Sequence, residues 1–183
     1  MKHIHVITIL ADGFEEIEAI TFIDLLRRAH IQVSVLGLKS YDVRGARDIR
    51  IRVDGLLSDF KDTYDGIILP GGQPGSTNLE KSPVVIQKIK DAHAKGLLCA
   101  AICAAPSVFA EAGIIDGYKV TCYPGVDERL GDAEFVDMPV VRDRNVITGK
   151  GVGTAIEFAL EIIRYLNNEE SAENVRKAIL FNK

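Results

Sequence analysis

The run Gly96–Leu97–Leu98–Cys99–Ala100–Ala101–Ile102–Cys103–Ala104–Ala105–Pro106 constrains this chain more than any other stretch. It reads as a buried strand passing straight into a helix, with Cys103 at the join. Nearly every neighbour of the turn is small, as a sharp strand-to-helix elbow requires, because the two backbones approach closely there. Pro106 suits a first helical turn, where its missing N–H costs nothing. A thiol at this junction faces the positive end of a helix, a field that favours thiolate, the reactive form. A buried cysteine also serves as a small hydrophobe. The strand-end position separates the two readings and favours a reactive Cys103.

Around this elbow, apolar strand-like runs alternate with helical patterns. Strands are expected at Ile4–Leu10, Ile31–Leu38, Asp65–Leu69, Leu97–Cys103 and Asn145–Thr148. Helices are expected at Phe14–Ala29, Pro83–Ala94, Thr154–Leu166 and Ala172–Phe181, with Asn167–Asn168–Glu169–Glu170 as the break before the last. Strands separated by helices imply βαβ units, and so an α/β fold with a mainly parallel sheet covered on both faces. Arg50–Val53 alternates as a half-exposed strand does, and Arg142–Asp143–Arg144 reads as a polar turn between Phe135–Val141 and Asn145–Thr148. These two stretches are small added hairpins. A chain of 183 residues with no linker, repeat or low-complexity tract reads as a single domain spanning 1–183.

The formal net charge of −4 gives no basic field to recruit nucleic acid or anionic lipid. The longest apolar runs are strand-length, which excludes a transmembrane helix, and the first residues do not resemble a signal peptide. Three cysteines are too few for a disulfide scaffold, and none has metal-ligand spacing. A cytoplasmic protein without metal or cofactor is expected.

Ligands of an open parallel sheet bind beyond the carboxyl ends of its strands. Three segments meet that condition: Asp12–Glu18 after the first strand, the turn Gly71–Gly72–Gln73–Pro74–Gly75, and Cys103. Asp12 and Glu15 have the spacing of a capping box, and acidic residues in a first turn complement the helix dipole. Glu18 has the register to face inward, toward the thiol, where it can hold and shuttle a proton. The glycine turn serves either backbone freedom alone or, with the N–H of Cys103 or Ala104, an oxyanion hole. Gly149–Lys150–Gly151–Val152–Gly153–Thr154 lacks both nucleotide-loop spacings and reads as a tight turn into a helix. The four histidines lie away from this rim in sequence.

Glu15–Glu16–Ile17–Glu18, Leu69–Pro70–Gly71–Gly72, Ala100–Ala101–Ile102–Cys103–Ala104–Ala105–Pro106 and Gly151–Val152–Gly153–Thr154–Ala155 resemble, in order, the signature segments of the DJ-one/ThiJ/PfpI superfamily. They are most similar to the protein deglycase branch with its ThiJ-like bacterial relatives. The resemblance implies a flavodoxin-like three-layer sandwich and a homodimer. It implies Cys103 as an oxidation-prone nucleophile, Glu18 as its protonated partner and Gly72 as a backbone donor, with Gly71, Ala104 and Tyr123 lining the substrate site. Arg28 and Arg47 match basic residues near the pocket, one of them donated across the dimer; both also suit a solvated surface. Tyr123 stands where some relatives have a histidine, and Cys122 beside it is either a second pocket thiol or a buried strand residue. Ala104 replaces the histidine of the protease branch, which disfavours a protease or amidase. The expected activity is a glutathione-independent glyoxalase or deglycase acting on small dicarbonyls such as methylglyoxal, or on their adducts, through a Cys103 hemithioacetal. The alternative is an oxidative-stress sensor or chaperone that works through Cys103 oxidation without turnover.

Overall fold

The computed structural model describes residues 3–182. Its centre is a seven-stranded sheet. Five strands form its parallel core: β1 (His5–Leu10), β2 (Gln32–Gly37), β6 (Gly66–Leu69), β7 (Leu98–Ile102) and β11 (Val146–Gly149). The short β5 (Gly55–Leu56) extends one edge in parallel, and β10 (Val140–Asp143) closes the other in antiparallel pairing. The spatial order is β10-β11-β7-β6-β1-β2-β5. The chain winds outward from β1 in one direction and from β6 in the other, so strand order reverses between those two strands.

Every residue of β1, β6 and β7 is buried, as expected of strands covered on both faces. Alternation divides them between two apolar layers. Val6, Leu10, Ile68, Ala100 and Ile102 face α1 (Glu16–Arg28), α5 (Ala155–Leu166) and α6 (Glu169–Ala178). Ile7, Ile9, Ile67, Leu69, Cys99 and Ala101 face α2 (Gly75–Glu80), α3 (Pro83–Ala94) and α4 (Pro106–Glu111). The result is a three-layer α/β sandwich. Among the described residues no helix is long and apolar enough to cross a membrane.

Local chemistry explains the elements. Helix α1 buries Ala19, Phe22, Ile23, Leu25 and Leu26, one stripe at helical spacing. Helix α3 starts at the Ser82 cap with Pro83 in its first turn, and the chain leaves it at Gly96 with φ +68°.

Several boundaries differ from the sequence reading. Helix α6 begins three residues earlier than expected, because the Asn168 side chain caps it by accepting from the Ser171 N–H at 2.8 Å. Glu169 and Glu170 therefore form its first turn rather than a break. The hairpin strand is Val140–Asp143, with its turn at Arg144–Asn145. Phe135 instead belongs to β9 (Glu134–Phe135), paired in parallel with β8 (Lys119–Val120). The other added hairpin pairs β3 (Asp42–Arg44) with β4 (Arg50–Arg52).

Candidate functional site

The rim beyond the carboxyl ends of β1, β6 and β7, at the reversal of strand order, gathers Glu18, Gly71, Gly72, Cys103 and Ala104. Open sheets of this kind bind ligands at that point.

Cys103 follows β7 with φ +65°, a left-handed conformation that strains a residue with a side chain. Its N–H donates to the Gly149 carbonyl at 2.9 Å, and its carbonyl accepts from the Tyr123 N–H at 2.9 Å. The sharp turn presses β7 against the glycine turn. A Cβ on Gly71 would lie 2.6 Å from the Cys103 Cβ and 2.9 Å from the Ala104 nitrogen. A side chain at position 71 cannot coexist with Cys103 where it stands, and this is why glycine is needed there. Cys103 is partly exposed, whereas Cys99 and Cys122 are wholly buried.

Glu18 lies in the first turn of α1 and is completely buried. Its Oε2 accepts from the Gly71 N–H at 2.8 Å. The carboxyl lies beside Cys103: a Cβ on Gly71 would meet Glu18 Oε2 at 2.8 Å and the Cys103 Cβ at 2.6 Å. Its other oxygen, Oε1, is buried with no further partner. Burial pushes the carboxyl up to about 7, against the pull of the Gly71 N–H and the thiol.

The thiol is also raised. Burial first, and then the charge of Glu18, push Cys103 up to about 12, while the nearby N–H groups of Ala104 and Gly72 pull it down. The thiolate expected from the helix N-terminus is therefore not the resting form while Glu18 is ionised; removal from water and the adjacent carboxylate outweigh the donors. The raising contributed by Glu18 disappears once that carboxyl carries the proton. One proton thus passes between sulfur and carboxyl without changing the charge of the pair.

The backbone donors are committed differently from the expected oxyanion hole. The Gly71 N–H holds Glu18, and that of Cys103 holds the Gly149 carbonyl. Asp12 does not cap α1. The cap position is Glu15, without a side-chain bond, and Asp12 Oδ1 accepts from the Arg44 N–H at 2.9 Å. Glu16 Oε1 likewise accepts from the Arg47 N–H at 2.6 Å, so the acidic turn anchors the β3–β4 hairpin.

Arg28 and Arg47 do not reach the thiol within this chain. Arg28 ends α1, ten residues and about 15 Å of helix beyond Glu18, and pairs with Asp24 at 2.8 Å. The Arg47 guanidinium is exposed, with a bond to the Ala46 carbonyl at 3.3 Å. The Tyr123 side chain is 54% exposed, and it is its backbone that touches Cys103. His5 bonds Ser34 Oγ and the Thr63 carbonyl at the opposite rim, and His93 bonds the Tyr118 hydroxyl. Among the described residues no cluster of side chains could hold a metal ion.

Sequence reasoning missed the contacts that brace this rim. Arg129 Nη2 donates to both oxygens of Glu80, at 2.6 and 2.7 Å, across 49 residues. Neither residue carries a local signal, since Glu80 ends a six-residue helix too short to show periodicity.

Comparison with known proteins agrees with this geometry. The profile of the DJ-1/PfpI family matches residues 4–165. The chain belongs to that family. Protein dj-1beta of Drosophila melanogaster is 41% identical over 178 residues, which is 95% of each chain. Its crystal structure superposes with a TM-score of 0.96 at 39% identity, covering 100% of both chains. The Caenorhabditis elegans protein named glutathione-independent glyoxalase DJR-1.2 is 39% identical over 172 residues, 92% of this chain and 91% of that one. Toxoplasma gondii DJ-1, solved in an oxidized form, gives a TM-score of 0.95 at 34% identity over 98% of this chain and 100% of the other. The sandwich is therefore the flavodoxin-like DJ-1/PfpI fold.

Proposed function

We propose that this protein is a cysteine-dependent glyoxalase or deglycase that converts small 2-oxoaldehydes, or their early adducts, into 2-hydroxy acids. The observation that carries the reading is the buried Glu18 carboxyl, held by the Gly71 N–H beside Cys103, with one oxygen unpartnered. A base with a pKa near 7 is well matched to proton transfer at neutral pH. The DJR-1.2 relative supports the substrate class by its name.

The chemistry balances with these two groups and water. Sulfur adds to the aldehyde carbon as its proton passes to Glu18 and then to the aldehyde oxygen, giving a hemithioacetal. Glu18 then removes the hydrogen on that carbon as a proton. The proton returns to the neighbouring carbonyl carbon, the hemithioacetal hydroxyl gives its proton to that carbon's oxygen, and the sulfur-bearing carbon is left as a thioester. Water cleaves the C–S bond, releasing the 2-hydroxy acid and restoring the thiol. The gain of one carbon and the loss of the other cancel, so no external oxidant enters.

A homodimer belongs to the same reading. Ile17 and Ile20 lie exposed on the face of α1 that also carries Arg28, with Ile49 and Leu180 exposed as well. A second copy on that face would bring an Arg28 guanidinium from outside the chain. The test of the function is NMR detection of lactate from methylglyoxal without glutathione. Production by the wild type and loss in Cys103→Ser are expected, and unchanged activity in that variant would remove Cys103 as nucleophile.

A second reading, a redox sensor, rests on one observation: Cys103 is the partly exposed thiol while Cys99 and Cys122 are fully buried. The N–H groups of Gly72 and Ala104 that favour its thiolate would equally receive the oxygens of a sulfenic or sulfinic acid.

A further inference from the structure

We propose that Glu80 is a positioning residue for Cys103, because its carboxylate ties together the three segments packed around that cysteine. The inference rests on the reading of Cys103 as the reactive group.

The first segment is α2, which ends at Glu80 and begins just after the Gly71–Gly72 turn that is pressed against the Cys103 Cβ. The second is α4. There Ser107, 3% exposed, shares its hydroxyl proton between the Ala104 carbonyl at 2.9 Å and Glu80 Oε2 at 3.2 Å. Ala104 directly follows Cys103, and its nitrogen borders the Gly71 turn. The third is the loop from Tyr123 to the 3-10 turn Asp127–Arg129, joined to Glu80 by Arg129. Its Tyr123 N–H holds the Cys103 carbonyl. The far ends of all three supports thus meet on one carboxylate.

A left-handed, non-glycine residue persists only where its surroundings over-determine it. The three segments meet Cys103 separately, through the Gly71 turn, the peptide bond to Ala104 and the Tyr123 N–H. Releasing the common tie lets the segments drift apart and withdraws the stabilisation that the neighbouring N–H groups give the thiolate. Glu18 is the ionisable group that acts directly on the sulfur, and Glu80 touches neither.

The test is the pH profile of Cys103 alkylation by iodoacetamide, in the intact protein, for Glu80→Gln, Arg129→Gln and Ser107→Ala. Positioning predicts that all three move the profile to higher pH and slow alkylation at pH 7 by about 3- to 10-fold, the effect of weakening one charge-assisted bond. Through-space charge predicts something else: losing an anion at 80 and a cation at 129 would shift the profile in opposite directions, and Ser107→Ala would leave it unmoved. Either of those results, or an unshifted profile in all three, overturns the proposal. Ser107→Ala changes no charge and keeps the test decisive if an ion-pair variant fails to fold, which a circular-dichroism melt reports. Alkylation involves no dicarbonyl, so a protein that makes no lactate but shows these shifts refutes the proposed activity and retains this inference.

Discussion

The backbone N–H of Gly71 lies 2.8 Å from Oε2 of Glu18, and that bond aims the carboxyl at Cys103. The same glycine lacks the Cβ that would strike the Cys103 Cβ. One position therefore holds the base in place and makes room for the nucleophile. Glu18 would otherwise be a carboxylate sealed in an apolar layer, an arrangement that costs several kcal/mol unless a bond or a proton compensates.

Gly71→Ala should damage both stability and turnover. The new methyl meets two backbone or Cβ atoms and Glu18 Oε2 at 2.6–2.9 Å, so the turn must move. Overpacking of this kind costs about 1–3 kcal/mol. Thermal melts should show that loss, and lactate production should fall by more than the folded fraction explains. A variant with wild-type melting and activity would show that the turn yields freely.

Stability should depend on pH through Glu18. Its folded pKa of about 7 lies above the model-peptide value of 4.5, so the native state holds the proton more tightly. The contribution is present in full below 4.5 and is lost as pH rises from 4.5 through 7. It is on the order of 3 kcal/mol. Denaturant midpoints at pH 5 and pH 8 should therefore fall more steeply in the wild type than in Glu18→Gln. Parallel behaviour of the two proteins would mean that the carboxyl is not raised.

The left-handed Cys103 predicts an ordering of two inactive variants. Cys103→Ala keeps a Cβ at φ +65° and retains the strain, whereas Cys103→Gly removes it. The glycine variant should be more stable than the alanine variant by about 1 kcal/mol, despite its looser unfolded chain. The reverse order would mean that the elbow is unstrained.

Mild peroxide should modify Cys103 before Cys99 or Cys122. The latter two have no exposed surface, whereas Cys103 is partly exposed. Mass spectrometry of digested protein reads the order. Oxidation starting at Cys122 would place a second reactive thiol beside Tyr123 and remove the basis of the sensor reading.

Much of this site was legible in sequence because it is built from strand ends. Strand runs and their exits could be read from apolar stretches and small residues, and the sheet then converges Glu18, Gly71 and Cys103 without further information. The inward register of Glu18 followed from helical spacing. What sequence could not show was energetic balance. The helix after Cys103 suggests a thiolate, yet burial and the nearby carboxylate outweigh that field. Asp12 and Glu15 carry capping spacing, but the β3–β4 hairpin takes Asp12 for the Arg44 N–H. The Glu80–Arg129 tie joins distant residues with no local pattern. Arg28 could be placed at the end of α1, but not relative to a second copy.

The central claim is that Glu18 accepts the proton of Cys103 as sulfur attacks. Glu18→Gln tests it most directly, by comparing alkylation of Cys103 with lactate formation in the same preparation. Removing the carboxylate charge should shift alkylation to lower pH and raise its rate at pH 7, while turnover falls by about 10²–10⁴-fold for want of the base. A Glu18→Gln protein that still forms lactate at the wild-type rate, or that loses alkylation and turnover together, would contradict the account.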